Sequence, residues 1–171
     1  CDIADVVAQT FAFGWSRTQV DPGLQALLDD PRWAPQLVFP GEFVLPPSRV
    51  VHLPVLPSAS QANGDGEASM AGQAPLFVLL DATWPEARKM FRKSPMLARF
   101  PVLSFAPEQA SRYQLRRSKR TDLWCTSEVA AMCLSLMDDP RDQLAAQALQ
   151  LQLDVFTQLH LEAKHQRPPN L

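Results

Sequence analysis

The chain has 171 residues, 46 % of them hydrophobic and 20 % charged, with a formal net charge of −2. That is enough apolar material for one ordinary core, and no apolar run approaches the roughly 20 residues that a bilayer-crossing helix needs. Cys1, Cys125 and Cys133 are too few and too scattered for a disulfide framework or a closed zinc site, and nothing resembles a signal peptide, so a soluble, cytoplasmic protein is expected.

Along the chain, Thr10 to Trp15 is predicted as a strand. Asp21-Pro22 opens a short helix with Leu24, Leu27 and Leu28 on one face. Gln36 to Phe39 is a short apolar strand ended by Pro40-Gly41, and Arg49 to Val55 is another. Residues 57–75 carry almost no large apolar side chain and are read as a flexible loop that need not be ordered. Leu76 to Leu80 is an uninterrupted apolar run, which fits a central strand buried on both faces of a parallel sheet. Thr83 followed by Glu86 is a capping-box pattern, and Pro85 suits a first helical turn.

Val102 to Phe105 supplies a further strand. Thr126 caps a helix covering Val129 to Met137, with Glu128 in its first turn. Cys125 and Cys133 fall in or near that apolar stretch and read as small core residues rather than catalytic thiols. A long final helix from about Arg141 to Lys164 carries Leu144, Ala148, Leu151, Val155, Leu159 and Leu161 as its apolar face. Strands and helices alternate without an internal repeat, so the expected class is α/β, with a mainly parallel sheet and flanking helices.

Two features point to a site. Asp81 follows the Leu76–Leu80 strand beside a helix amino terminus, where open α/β sheets place ligands. Charge is also strongly polarised: residues 85–121 hold 10 cations against Glu86 and Glu108, a net +8 that leaves −10 for the remainder. On the helix from Pro85, Arg88/Arg92 and Lys89/Lys93 are i,i+4 pairs, while Ala87, Met90 and Phe91 face the core. Four like charges on one short helix repel one another, which favours a polyanion partner over an ordinary solvated charge run. Arg112, Arg116, Arg117, Lys119 and Arg120 extend that surface.

Asp81-Ala82-Thr83-Trp84 after an apolar strand resembles the Asp-x-Thr-Trp signature of the DTW-domain family. Gly14-Trp15-Ser16-Arg17-Thr18, Val38-Phe39-Pro40-Gly41-Glu42, the whole of Leu80 to Pro95, Tyr113-x-Leu-Arg116 and Cys125-Thr-Ser-Glu-Val-Ala130 resemble further family segments, in family order. The resemblance covers nearly the whole chain, read as one domain over residues 1–171, and extends to the bacterial tRNA-uridine aminocarboxypropyltransferases. It implies a SPOUT-like α/β fold with a C-terminal trefoil-knotted site for S-adenosylmethionine as co-substrate. It also implies transfer of the 3-amino-3-carboxypropyl group to N3 of a tRNA uridine, in the variable loop or, for some members, the D-loop. The partners implied are tRNA and S-adenosylmethionine, with no membrane, and a monomer is expected. Relatives usually begin with a cysteine-rich, zinc-site-like segment and a Thr-Gly-Arg motif. The chain opens at Cys1-Asp2-Ile3-Ala4-Asp5, which resembles the stretch just after that motif, so zinc would belong only to the absent segment.

The implied roles fall on matching positions. Asp81 is the candidate to accept or orient the uridine N3 proton. Phe39, Pro40, Gly41, Leu80, Thr83, Trp84, Thr126, Ser127 and Glu128 are the candidates to hold the donor, with Gly41 allowing close backbone approach. Arg88, Lys89, Arg92, Lys93, Tyr113, Arg116 and Arg117 are the candidates to hold RNA. Phosphate contacts of this kind position an RNA without choosing the base. Trp84 or Tyr113 could stack on that base, and Trp84 fits a core or donor-wall aromatic equally well. His52, His160 and His165 have no partners at catalytic spacing and read as surface or structural. The alternatives are a SPOUT-type RNA methyltransferase using the same donor, and a non-catalytic RNA-binding module.

Overall fold

The computed structural model describes residues 9–54, 73–105 and 124–165, which fall into two compact units, one within Thr10–Ala106 and one within Cys1–Gln9 and Pro107–Leu171. In the first unit, α1 (Pro22–Asp29) starts where sequence chemistry requires. The Asp21 carboxylate accepts the amides of Gly23 at 2.8 Å and Leu24 at 3.2 Å, Pro22 occupies the first turn, and Leu28 is buried. Four strands follow: β1 (Trp33–Val38), β2 (Val50–Val51), β3 (Ala74–Val78) and β4 (Val102–Leu103). They form one sheet in the order β2-β4-β1-β3, and every pairing is parallel. Helix α2 (Trp84–Lys93) and a 3₁₀ turn at Pro95–Arg99 connect β3 to β4. The α/β class with a parallel sheet is as expected.

The order corrects one expectation. The apolar run after Pro75 is not the sheet's centre: among the described residues β3 lies at an edge, and its Leu76–Val78 are half-buried. The strand also starts two residues early, so Ala74 and Pro75 belong to it and not to the loop; residues 57–72 of that loop lie outside the described residues. The centre is held by β1 and β4, where Leu37, Val102 and Leu103 are 0 % exposed. Pro35 is compatible with a central strand because amides on β1 alternate in direction. The amides of Leu37 and Phe39 donate towards β4, to the carbonyls of Pro101 and Leu103. Position 35 faces the same side, two residues before β4 begins to pair, so the missing N–H costs no ladder bond. Leu37 sits in the core with Leu28, Phe39, Val44, Ala87, Leu97 and Val102. Leu37→Ala is expected to destabilise the fold by about 2–5 kcal/mol in urea titration, because a site closed on all sides cannot collapse around the void.

Two other predicted strands are changed. Residues 10–15 form no strand; Phe11 meets Trp33 edge-on at 6.2 Å, and the Trp15 indole donates to Ser94 Oγ at 3.0 Å. Side chains, not a ladder, attach this segment. Of the segment at Arg49–Val55, the described residues 49–54 pair only over Val50–Val51, because Arg49 closes a 3₁₀ turn, Pro47–Arg49, instead; Val55 lies outside the described residues. Its guanidinium donates to the carbonyls of Leu97 and Phe100, satisfying the end of the 3₁₀ turn before β4.

The second unit pairs α3 (Thr126–Ser135) with α4 (Pro140–His165). Small residues make the contact close: Ala131 and Cys133 on α3 and Ala146 on α4 are all buried. Gln143 donates to the carbonyls of Ser135 and Met137, closing the open end of α3. The apolar face expected for α4 is largely the wrong one. Leu144, Leu151, Val155 and Leu159 are between 49 % and 65 % exposed, whereas Ala146 and Thr157 are buried and Leu149, Leu153 and Leu161 are half-buried. Both stripes obey helical spacing, so periodicity alone cannot choose between them.

Candidate functional site

Because the sheet is parallel throughout, the carboxyl ends of its strands share one edge, the usual position of a ligand crevice in open α/β sheets. Phe39-Pro40-Gly41 leaves that edge from β1, His52 from β2, Leu79 to Asp81 from β3, and Ser104 from β4. The turn after β1 is tightly held. The Gly41 amide donates to Ser104 Oγ at 2.8 Å, and the amides of Phe43 and Val44 donate to the carbonyls of Pro40 and Gly41. A side chain at Gly41 would place its Cβ 3.1 Å from Ser104 Oγ and 3.2 Å from Val50. The close approach that Gly41 permits is therefore to the chain itself, and it fixes the turn before any ligand arrives.

Asp81 stands three residues beyond β3 as an exposed carboxylate. Leu80 beside it is half-buried against the core. Thr83 caps α2, and the reciprocal residue is in place: the Glu86 carboxylate accepts the Thr83 amide at 3.2 Å and its hydroxyl at 2.5 Å. The hydroxyl, then the amide, then Lys89 hold the Glu86 carboxyl below the usual carboxylate range. Trp84 packs in the aromatic core, stacked on Phe39 at 5.4 Å and meeting Phe43 edge-on at 5.4 Å. Phe39 in turn stacks on Phe91 at 4.5 Å. Trp84 is thus a wall that joins the turn after β1 to α2.

On α2 the division of faces matches the sequence pattern. Ala87 is buried and Met90 and Phe91 are half-buried, while Arg88, Lys89, Arg92 and Lys93 are all exposed. Arg92 and Lys93 also lie in the last turn, where cations complement the helix dipole. Arg99 is excluded from this surface: it pairs with Asp29 and its guanidinium covers the Phe100 ring at 4.7 Å. Tyr113, Arg112, Arg116, Arg117, Lys119 and Arg120 lie outside the described residues.

In the second unit, Thr126 is the first helical residue and Cys125 the cap, one residue earlier than expected. Glu128 accepts the Cys125 amide at 2.8 Å, so it closes the helix start, with Thr126 and Ser127 in the same first turn. Burial raises both thiols above their ordinary range, Cys133 to about 12, which agrees with a packing role. The sign of the consequence is fixed. An unfolded Cys133 thiol ionises near 9.0 and the folded one near 12, so its burial stabilises fully below the first value and progressively less towards the second. In urea titrations across that window, Cys133→Ala should lose less stability with rising pH than the parent chain.

His52 accepts the structural role expected of it, with Nδ1 3.1 Å from the Ser104 carbonyl, and His160 lies against Phe156. Sequence reading missed Ser104, Arg49 and Phe43. Ser104 had one legible signal, its position directly after a buried Val-Leu pair; the other two are defined only by tertiary contact. No group of three His, Cys, Asp or Glu residues among the described residues could hold a metal, and no helix among them is long and apolar enough to cross a membrane.

No solved structure matches the chain. Among known families, the DTW domain, which is associated with tRNA modification, matches residues 3–161. The Asp-x-Thr-Trp segment at the carboxyl edge of the sheet lies within that span, which runs over nearly all of the sequence, and the chain belongs to the DTW domain family.

Proposed function

We propose that the chain is a tRNA-uridine aminocarboxypropyltransferase, which moves the 3-amino-3-carboxypropyl group of S-adenosylmethionine to N3 of a tRNA uridine. The observation that carries this reading is the placement of Asp81, an exposed carboxylate at the carboxyl edge of a parallel sheet, directly ahead of a helix with four exposed cations. A polyanion drawn to α2 would bring a base to the carboxylate.

The residues at that edge fit such a donor. The Phe39–Gly41 turn is already held by Leu103 and Ser104, so binding would cost little ordering there. Phe39, Pro40, Gly41 and Leu80 would line its adenosine end, with Thr83 and Trp84 behind them. Thr126, Ser127 and Glu128 are further candidates to hold the donor. Glu128 already supplies a carboxylate at the α3 start, so it suits the donor's ammonium group better than its carboxylate. When bound, the donor supplies a sulfonium-activated methylene. The N3–C bond forms as the C–S bond breaks, the electron pair passes to sulfur as neutral methylthioadenosine, and the N3 proton leaves. The leaving group needs no acid, so the protein's tasks are orientation and proton acceptance. Asp81 accepts or orients the N3 proton. Lys89, Arg92 and Lys93 hold phosphates beside it, with Arg88, Tyr113, Arg116 and Arg117 as further RNA contacts. This reading carries with it a SPOUT-like knotted carboxyl-terminal part around the donor and a monomer working in the cytoplasm.

The co-product tests it. Chromatography of a reaction containing tRNA and S-adenosylmethionine should show methylthioadenosine. Adenosylhomocysteine would make the chain a methyltransferase, and neither product would make it a binding module.

A further inference from the structure

The ring of Phe43 is partly covered by a cation. Phe43 ends the 3₁₀ turn Gly41–Phe43, is half-buried, and meets Phe39 and Trp84 edge-on at 6.1 Å and 5.4 Å. Over its ring lies the Arg88 guanidinium, 4.5 Å from the centroid. Arg88 is one turn beyond Trp84 on α2, which places it above the same aromatic group. It has no carboxylate partner among the described residues, so the ring is the contact that defines its position. The core rings hold Phe43 edge-on, and an exchangeable planar cation lies over its ring.

We propose that Phe43 is a stacking platform for an unpaired RNA base, and that Arg88 is its resting cover. The proposal rests on the reading of the chain as a tRNA-binding enzyme. Magnitudes favour the exchange. An exposed cation–π contact is worth about a 2- to 5-fold change in an equilibrium, whereas stacking one base on an aromatic side chain is worth about 5- to 150-fold. Arg88 loses little by turning to a phosphate, where a charge-assisted bidentate contact replaces the ring. Glu42, exposed and next to Phe43, disfavours a phosphate at the ring itself, so the backbone belongs over Lys89 and Arg92 and the base over Phe43. The resulting selectivity is for single-stranded or looped RNA, because a paired base cannot leave its stack to reach the ring.

The test is fluorescence anisotropy with the full chain, using a labelled single-stranded RNA oligonucleotide and a duplex of the same length. Phe43→Leu should weaken single-stranded binding by about 10-fold or more while duplex binding stays within about 2-fold, and Phe43→Trp should restore the single-stranded affinity. Thermal unfolding of each variant checks the fold, and Phe43→Trp keeps the test valid if the leucine variant unfolds, since its single-stranded affinity should equal or exceed that of the parent. Equal losses on both RNAs, or none on either, would overturn the platform. If Phe43→Leu has no effect while Lys89→Ala weakens both RNAs, the platform fails and the RNA reading stands. If the parent chain binds neither RNA, that reading fails and the platform with it.

Discussion

Asp81→Asn is expected to lower aminocarboxypropyl transfer by about 10²- to 10⁴-fold, the usual effect of removing a positioned proton acceptor, while tRNA affinity stays unchanged. The asparagine is isosteric and the position is exposed, so no core contact is lost and the fold should persist. The amide still offers an oxygen to N3–H but cannot take the proton. If Asp81 acts through orientation alone, the loss will sit at the low end of that range, and if it accepts the proton, at the high end. Single-turnover rates of both proteins measure that loss. An unchanged rate in Asp81→Asn would remove the residue from the mechanism.

The second large effect is electrostatic. Lys89→Ala and Arg92→Ala together should weaken tRNA binding and reduce the slope of log affinity against log salt by about 2, one for each phosphate contact removed. Both side chains are exposed and sit outside the core face of α2, so thermal stability should move little. Arg99→Ala is the internal control. Its guanidinium is engaged by Asp29 and the Phe100 ring, so the salt slope should stay at the parent value. Filter-binding titrations at several salt concentrations read both variants against the parent chain.

The sequence disclosed elements more readily than their neighbours. The cap at Asp21, the Thr83–Glu86 pairing and the exposed basic face of α2 were legible because each depends on residues within one helical turn. The strand at Leu76 was legible as a strand, but its place in the sheet was not. An apolar run reports burial of a side chain, whereas sheet order depends on which distant segment pairs with it. Pro35 and Gln36 disguised the true centre; amide direction makes the proline harmless, and Gln36 is nonetheless 1 % exposed. On α4, two stripes shared the helical period, and the small side chain of Ala146, not the larger leucines, marks the buried one. In the site, Asp81 and the cations were visible as a local motif. The support of Gly41 by Ser104, 63 positions away, was not, because no local pattern encodes a contact at that separation.

Under the proposed function, the Asp-x-Thr-Trp turn and the basic helix together deliver a tRNA uridine to an aminocarboxypropyl donor, which leaves a chemical mark on the RNA. Nucleoside mass spectrometry reads that mark, on tRNA incubated with the protein and S-adenosylmethionine and then digested completely. The expected digest contains a uridine carrying one 3-amino-3-carboxypropyl group on N3, strongly reduced at matched reaction times when Asp81→Asn replaces the parent chain. A methylated nucleoside, or a digest identical to that of untreated tRNA, would contradict this mechanism.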